Sequence, residues 1–143
     1  MISARDSTTI GRPIDEVFSY VADTTNDPAW HTDFTEVRRR GSQPTQLGTE
    51  FDVQIKPFMG QSTGWLKVTG YELNRLLELE GRVGAMEPTL RYTFRTADGG
   101  TEVGREEALE PPGLMRLLQP FLRPVFARRN RQFLENLKQV LER

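Results

Sequence analysis

The most constraining feature of this 143-residue sequence is a change in the period of its apolar residues near position 110. Over residues 34–109, apolar and polar residues alternate in short runs, which is typical of antiparallel strands with one face in water. After "EPPG", apolar residues recur every three or four positions up to Leu141, which predicts a long helix. The apolar stripe of this helix has one large surface to cover, the apolar face of the sheet. The sheet must then curve around the helix, and the gap left between them is a candidate hydrophobic pocket.

The strands are clearest in the middle of the chain. "GTEFDVQIKP" places Phe51 and Val53 on one face and charged residues on the other. "TLRYTFRT" does the same with Tyr92 and Phe94, and "ADGG" predicts a hairpin that leads into the last strand. We therefore expect about six antiparallel strands between residue 34 and the C-terminal helix.

The strand "GWLKVTGY" does not reveal which of its two faces points inward. Trp65 with Tyr71 and Leu66 with Val68 are both consistent with alternation. A bulge near Gly70 would change the phase within the strand.

The first thirty residues predict a strand followed by two short helices. Residues 2–10 alternate weakly, and Pro13 suits the first position of a helix. Pro28 disfavours helix just before it, so we expect the first helix to end at "TTNDP" and a short second helix around residues 29–32.

The C-terminal segment combines apolar and basic residues. From Gly113 onward it carries seven Lys or Arg and two Glu, whereas the whole chain has a net charge of −1. We interpret the positive charge as a solvated helix face, in preference to a patch for an anionic surface. Pro120 and Pro124 predict a kink or break near residues 119–124.

The composition limits the kinds of site and partner that we expect for this chain. The chain has no cysteine and one histidine, so we expect no disulfide, no metal site and no cofactor. The net charge gives no reason to expect nucleic acid as a partner. No signal peptide and no apolar run of about 20 residues is visible, so we expect a cytoplasmic protein without stable membrane insertion.

Three side chains are candidates for catalysis: His31, Tyr92 and Arg129. His31 can act as an acid or base near neutral pH, but a polar residue at the exposed end of a short helix is the favoured interpretation. Tyr92 would place a hydroxyl within an apolar space. Arg129 and Asn130 occupy helix positions where apolar residues are expected. If one of them points inward, it would orient a ligand or pair with an acid such as Glu107.

Three stretches, in this order, resemble the helix-grip or START-like superfamily: "RPIDEVFSYVADTTNDPAWH", "ADGGTEV" and "RRNRQFLENLKQVLER". This superfamily includes birch-pollen-allergen-like proteins and the polyketide cyclase/dehydrase and lipid transport family. Pro13, Asp23 and Trp30 match the Pro-initiated helix, the Asp near its end and the Trp that begins the second helix.

The resemblance implies one α+β START-like domain over residues 1–143. Its curved antiparallel sheet would wrap around the long C-terminal helix, with two short helices after the first strand. It also implies an internal cavity for a small hydrophobic ligand, lipid or polyketide-like. The residues expected to bind that ligand are Trp30, Phe51, Val53, Trp65, Tyr92, Phe94, Leu118, Leu122 and Phe126.

The expected function is binding or carriage of that ligand, without catalysis. The alternative is an enzyme of cyclase or dehydratase type that acts in the same cavity without metal. Convergence of His31, Tyr92 and Arg129 on one cavity would distinguish this enzyme from a carrier. A third interpretation is a partner-binding module with an uncovered apolar patch in place of a cavity. The sequence does not fix the oligomeric state.

Overall fold

The computed structural model describes residues 1–58 and 60–143. Along these residues the order is strand, helix, short 3₁₀ helix, six strands, a second 3₁₀ helix and a long C-terminal helix. The elements are β1 (Ile2–Ile10), α1 (Ile14–Ala22), the first 3₁₀ helix (Thr24–Ala29), β2 (Phe34–Arg39), β3 (Glu50–Phe58), β4 (Gln61–Glu72), β5 (Leu76–Val83), β6 (Thr89–Ala97), β7 (Gly100–Leu109), the second 3₁₀ helix (Gly113–Leu118) and α2 (Gln119–Leu141).

The described strands form one antiparallel sheet in the order β1-β7-β6-β5-β4-β3-β2. Strands β2 to β7 pair with their neighbours in sequence, and β1 returns to pair with β7. The "ADGG" stretch connects β6 and β7 as a hairpin, with Gly99 at φ 83° and Gly100 at φ 149°. The predicted hairpin is therefore present.

The core lies between the inner face of this sheet and the helices. Helix α1 presents Val17, Phe18 and Val21 to one end of the sheet, because its apolar residues recur at helical spacing. The C-terminal half of α2 buries Phe133 and Leu137 against the sheet, where α2 contacts β1 and β7. The wide apolar face is thus covered by two separate elements.

The inward phase of β4 changes within the strand. Leu66 and Val68 are buried, whereas Trp65 is 39% exposed on the outer face. The register then shifts between Val68 and Gly70, after which Tyr71 packs against the core. The bulge near Gly70 therefore does change the phase, and Trp65, which was expected to bind the ligand, does not face the interior.

The second short helix begins earlier than the sequence analysis places it. It is a 3₁₀ helix over Thr24–Ala29, not a helix over residues 29–32. Asp23 explains the difference, because its carboxylate accepts a hydrogen bond from the Thr25 backbone N–H over 3.1 Å and so caps a new helix directly after α1. Pro28 lies inside this short helix and does not precede it.

The proline break in the C-terminal stripe falls at the start of α2. Pro120 lies in the first turn, where its missing N–H leaves no hydrogen bond unmade, and the residues before it form the second 3₁₀ helix. Pro124 lies inside α2 without ending it. In the described parts of the chain, no helix has the length and apolar character needed to cross a membrane.

Candidate functional site

A pocket of about 410 Å³ opens between one end of the sheet and the first half of α2. Most of its wall is apolar, and it is built from strand ends, the loops that join them, and the start of the C-terminal helix. The lining residues are Ile2, His31, Asp33, Phe34, Ile55, Lys56, Pro57, Phe58, Leu66, Val83, Met86, Pro88, Leu90, Glu107, Leu109, Pro111, Met115, Leu122, Val125, Phe126 and Arg129.

The pocket exists because the two halves of α2 pack differently. In the C-terminal half, Phe133, Leu134 and Leu137 are buried against the sheet. In the first half, only Leu122 and Phe126 are half-buried among the large apolar side chains, and both line the pocket. The inner face of the sheet is consequently left uncovered at this end.

The pocket wall includes charged side chains from opposite sides. Arg129 of α2 forms an ion pair with Asp33, which lies between the first 3₁₀ helix and β2. Lys56 and Glu107 also line the pocket, and Glu107 pairs with Arg105 over 3.0 Å. Three of the four charged groups at the wall are therefore paired within the protein itself.

His31 is buried at the pocket wall between two phenylalanine rings. Its ring stacks on Phe34 and on Phe133, with ring centroids 4.0 Å apart in each case. Burial, reinforced by the charges of Arg105 and Arg129, holds the pKa of His31 well below its ordinary value. The imidazole is thus kept neutral, and the expectation that His31 lies at an exposed helix end is wrong.

A buried arginine links the sheet to α2 just behind the pocket. Arg105 of β7 is 1% exposed, and its guanidinium donates to Asn130 Oδ1 over 2.6 Å and to the Tyr92 hydroxyl over 3.2 Å. Although burial by itself lowers the pKa of a guanidinium, Tyr92 and Glu107 hold the pKa of Arg105 above its ordinary value. Asn130 completes the exchange by donating to the Arg105 carbonyl over 3.1 Å.

Two further titratable groups lie in this buried region. Burial raises the pKa of Tyr92 to about 12, so its hydroxyl stays protonated while it accepts the hydrogen bond from Arg105. Burial also raises the pKa of Asp27 well above its ordinary value, an effect that Arg105 opposes. This interior favours neutral acids, a neutral imidazole and one charged guanidinium.

The sequence-predicted site residues fall into three groups. His31, Arg129, Leu122 and Phe126 line the pocket. A second group is buried in the core and does not line it: Trp30, Phe51, Val53, Tyr92 and Phe94. Trp65 and Leu118 are on the surface, and neither lines the pocket.

The core positions of the second group have a simple cause. Phe18 of α1 packs edge-on against Phe94 with ring centroids 5.0 Å apart, and Trp30 packs edge-on against Tyr92 at 6.4 Å. These contacts close the end of the sheet that carries α1, so the pocket is confined to the other end.

Sequence reasoning missed Arg105 and most of the apolar pocket wall. Arg105 stands in phase with the buried Val103 and Leu109 along β7, so alternation was a signal for an inward arginine. Ile55 and Leu90 likewise share the inward phase of their strands. Alternation gives the face of a sheet, but it does not show which end of that face stays uncovered.

No set of three histidine, aspartate or glutamate side chains within residues 1–58 and 60–143 is arranged to hold a metal ion. The polar groups at the pocket are suited to hydrogen bonding and ion pairing with a ligand.

Residues 1–142 match the family described as polyketide cyclase / dehydrase and lipid transport. The chain belongs to this family. A comparison with curated protein sequences finds no significant match. The family assignment confirms the resemblance inferred from the sequence.

Solved structures show the same fold at low sequence identity. TTHA0849 from Thermus thermophilus is 13% identical, with a TM-score of 0.75 over 97% of this chain and 96% of that one. Ara h 8.0201 is 13% identical, with a TM-score of 0.68 over 97% of this chain and 96% of that one. The di-domain ARO/CYC protein StfQ from the steffimycin biosynthetic pathway is 14% identical, with a TM-score of 0.74 over 99% of this chain and 50% of that one. These likenesses confirm the helix-grip fold predicted for this family member.

Proposed function

We propose that this chain, acting as one START-like domain, binds and carries a small hydrophobic molecule in the pocket under the first half of α2. The observation that carries the proposal is the pocket itself: about 410 Å³ of mostly apolar space that the C-terminal helix leaves uncovered. This volume lies within the range of about 300–1,000 Å³ that is common for small-molecule sites.

The wall favours a ligand with an apolar body and a small polar group. Leu66, Leu90 and Phe126 offer apolar contacts, and Arg129 and Lys56 offer hydrogen-bond donors at the same pocket. Because Arg129 is paired with Asp33, a ligand oxygen would compete with an existing ion pair. This arrangement supports a lipid-like or polyketide-like molecule in which burial of apolar area supplies most of the affinity.

A cyclase or dehydratase activity is the second candidate. Two of its three catalytic candidates, His31 and Arg129, line the pocket, but the lowered pKa of the buried imidazole makes His31 a weak base. Tyr92 does not line the pocket, and its hydroxyl accepts a hydrogen bond from Arg105 inside the core. The incomplete convergence of the three groups favours binding over catalysis.

A titration with an apolar fluorophore, followed by displacement with fatty acids and polycyclic aromatics, tests the proposal. Leu122→Trp adds bulk at a half-buried wall position and should weaken binding of the probe by about tenfold or more. Leu118→Trp is the matched control, because Leu118 is 49% exposed on the same segment and does not line the pocket.

The control variant should bind the probe as the unchanged protein does. Equal affinity of both variants, or the absence of any saturable binding in the unchanged protein, would contradict the proposal. Circular dichroism and thermal unfolding of each variant establish that the fold is intact before affinities are compared.

A further inference from the structure

Residues 113–128 hold five of the ten large apolar side chains that are exposed among the described residues. Leu114 is 83% exposed, Leu117 is 76% exposed and Phe121 is 74% exposed. Leu118 and Val125 extend the same surface, and each is about half exposed. We call these five residues the apolar row. A cluster of exposed apolar side chains on one surface segment marks a site for a partner.

Positive charge accompanies the apolar row on the same segment. Residues 113–128 contain three arginines, Arg116, Arg123 and Arg128, and no aspartate or glutamate. All three side chains are exposed, and none of them forms an ion pair with a described carboxylate. The segment therefore carries three positive charges and no compensating carboxylate of its own.

We propose that residues 113–128 dock the protein peripherally on an anionic lipid surface. Leucine and phenylalanine side chains would enter the boundary between headgroups and acyl chains, and the arginines would face the lipid phosphates. This is the combination of apolar face and cationic flank that interfacial helices use. An anionic-surface patch thus becomes the favoured interpretation of the basic segment, because the structure exposes apolar side chains that were expected to pack against the sheet.

A second copy of the chain is a weaker candidate for the same surface. Joining two copies through residues 113–128 would place two clusters of three arginines against each other, and like charges in close contact oppose association. An anionic surface offers the opposite charge together with an apolar layer.

The docking surface also borders the pocket. Val125 is 51% exposed in the apolar row and lines the pocket, and Met115 and Leu122 of the same segment line it as well. Where the proposed ligand binding holds, docking would bring the pocket to the lipid surface. The docking itself does not depend on a ligand.

Co-sedimentation with vesicles tests the proposal. The full chain should bind vesicles of phosphatidylcholine mixed with phosphatidylglycerol, and bind vesicles of phosphatidylcholine alone far less. The double variant Leu117→Ser with Phe121→Ser should lower the partition coefficient on anionic vesicles by about tenfold or more. Leu73→Ser is its control, because Leu73 is 67% exposed in the turn between β4 and β5.

A second pair of variants isolates the charge. Arg116→Gln with Arg128→Gln should lower the partition coefficient by about tenfold and weaken its dependence on salt, because Arg128 lies seven residues after Phe121 on the same helix face. Arg5→Gln with Arg91→Gln removes the same net charge from the outer face of the sheet and should leave binding within about twofold.

Three outcomes would overturn the proposal. The first is no binding to anionic vesicles, and the second is equal binding to the two kinds of vesicle. The third is a concentration-dependent dimer in sedimentation velocity that Leu117→Ser with Phe121→Ser abolishes, which would assign the apolar row to a second copy. The fluorophore titration is independent of all three, so failure of docking and failure of ligand binding are separate results.

Discussion

Asn130 Oδ1 accepts a hydrogen bond of 2.6 Å from the buried guanidinium of Arg105, and this contact ties α2 to the inner face of the sheet. Both side chains are 1% exposed. When one partner of a buried charge is removed, the charge still bears the cost of desolvation but loses the hydrogen bond that compensated for it. Removal of the partner is therefore destabilising. The pair therefore stabilises the C-terminal half of α2, which directly follows the pocket-lining residues Leu122, Phe126 and Arg129.

Asn130→Ala should destabilise the protein strongly, although it removes only one small side chain. Loss of the hydrogen bonds to Arg105 is expected to lower the free energy of unfolding by about 2 kcal/mol, measured by urea denaturation. Gln132→Ala on the exposed face of the same helix is the control and should change it by less than about 0.5 kcal/mol. An Asn130→Ala protein as stable as that control would show that the network contributes nothing.

The buried imidazole predicts a pH dependence of stability. The pKa of His31 is lowered in the folded state, so below about pH 6.5 the unfolded chain binds a proton that the folded chain rejects. The contribution of the neutral His31 to the free energy of unfolding is thus fully present above that pH and is lost as the pH falls. His31→Phe keeps an aromatic ring between Phe34 and Phe133 while removing the titration.

Unfolding free energies of the unchanged protein and His31→Phe, measured between pH 8 and pH 5, isolate this effect. The unchanged protein should lose up to about 1.4 kcal/mol per pH unit relative to the variant below about pH 6.5. The raised pKa of Asp27 acts in the opposite direction, but it is present in both proteins and cancels in the difference. A difference that stays constant with pH would contradict the buried, neutral imidazole.

The two glycines of the β6–β7 hairpin should tolerate substitution very differently. A Cβ at Gly100 would lie 1.9 Å from the Ile10 carbonyl oxygen, whereas nothing lies within 4 Å of a Cβ at Gly99. We expect Gly100→Ala to lower the free energy of unfolding by about 2 kcal/mol or more. Gly99→Asn should cost less than about 1 kcal/mol, because asparagine tolerates the left-handed φ of 83°. Equal costs in urea denaturation would contradict this close contact with β1.

The two halves of the C-terminal segment should differ in local stability. Residues 130–140 include buried Phe133, Leu134 and Leu137, whereas residues 114–123 are largely exposed. Amide hydrogen exchange should be faster over residues 114–123, and the difference should shrink when a ligand fills the pocket. Equal protection of both halves without ligand would remove the reason for placing the pocket entrance at the first half of α2.

The order of elements could be predicted from the sequence because it rests on periods that each segment carries by itself. The alternation around Phe51 and the helical spacing around Phe133 are local, and both predicted the correct face. The phase of β4 was ambiguous because a bulge between Val68 and Gly70 reverses it within one strand. Bulges depend on how two strands pair, which a single strand does not specify.

The position of the site was less predictable because it depends on which part of the sheet's apolar face the helices leave uncovered. The apolar stripe of α2 continues through Phe121 and Val125, yet Phe121 is 74% exposed and Val125 is 51% exposed, since this half of the helix does not close onto the sheet. Arg105 is harder to find because an arginine in an alternating strand ordinarily points outward. Its burial is stabilised by Asn130 and Glu107, which come from other positions in the chain.

Native mass spectrometry of the protein purified from its natural source tests the central claim most directly. We expect a species heavier than the bare chain by the mass of one small hydrophobic molecule. This species should be lost in Leu122→Trp, whose added bulk fills the pocket, and retained in Leu118→Trp, whose side chain lies outside it. Protein that carries no such molecule and takes up none from added fatty acids or polycyclic aromatics would contradict the claim that this pocket is a ligand site.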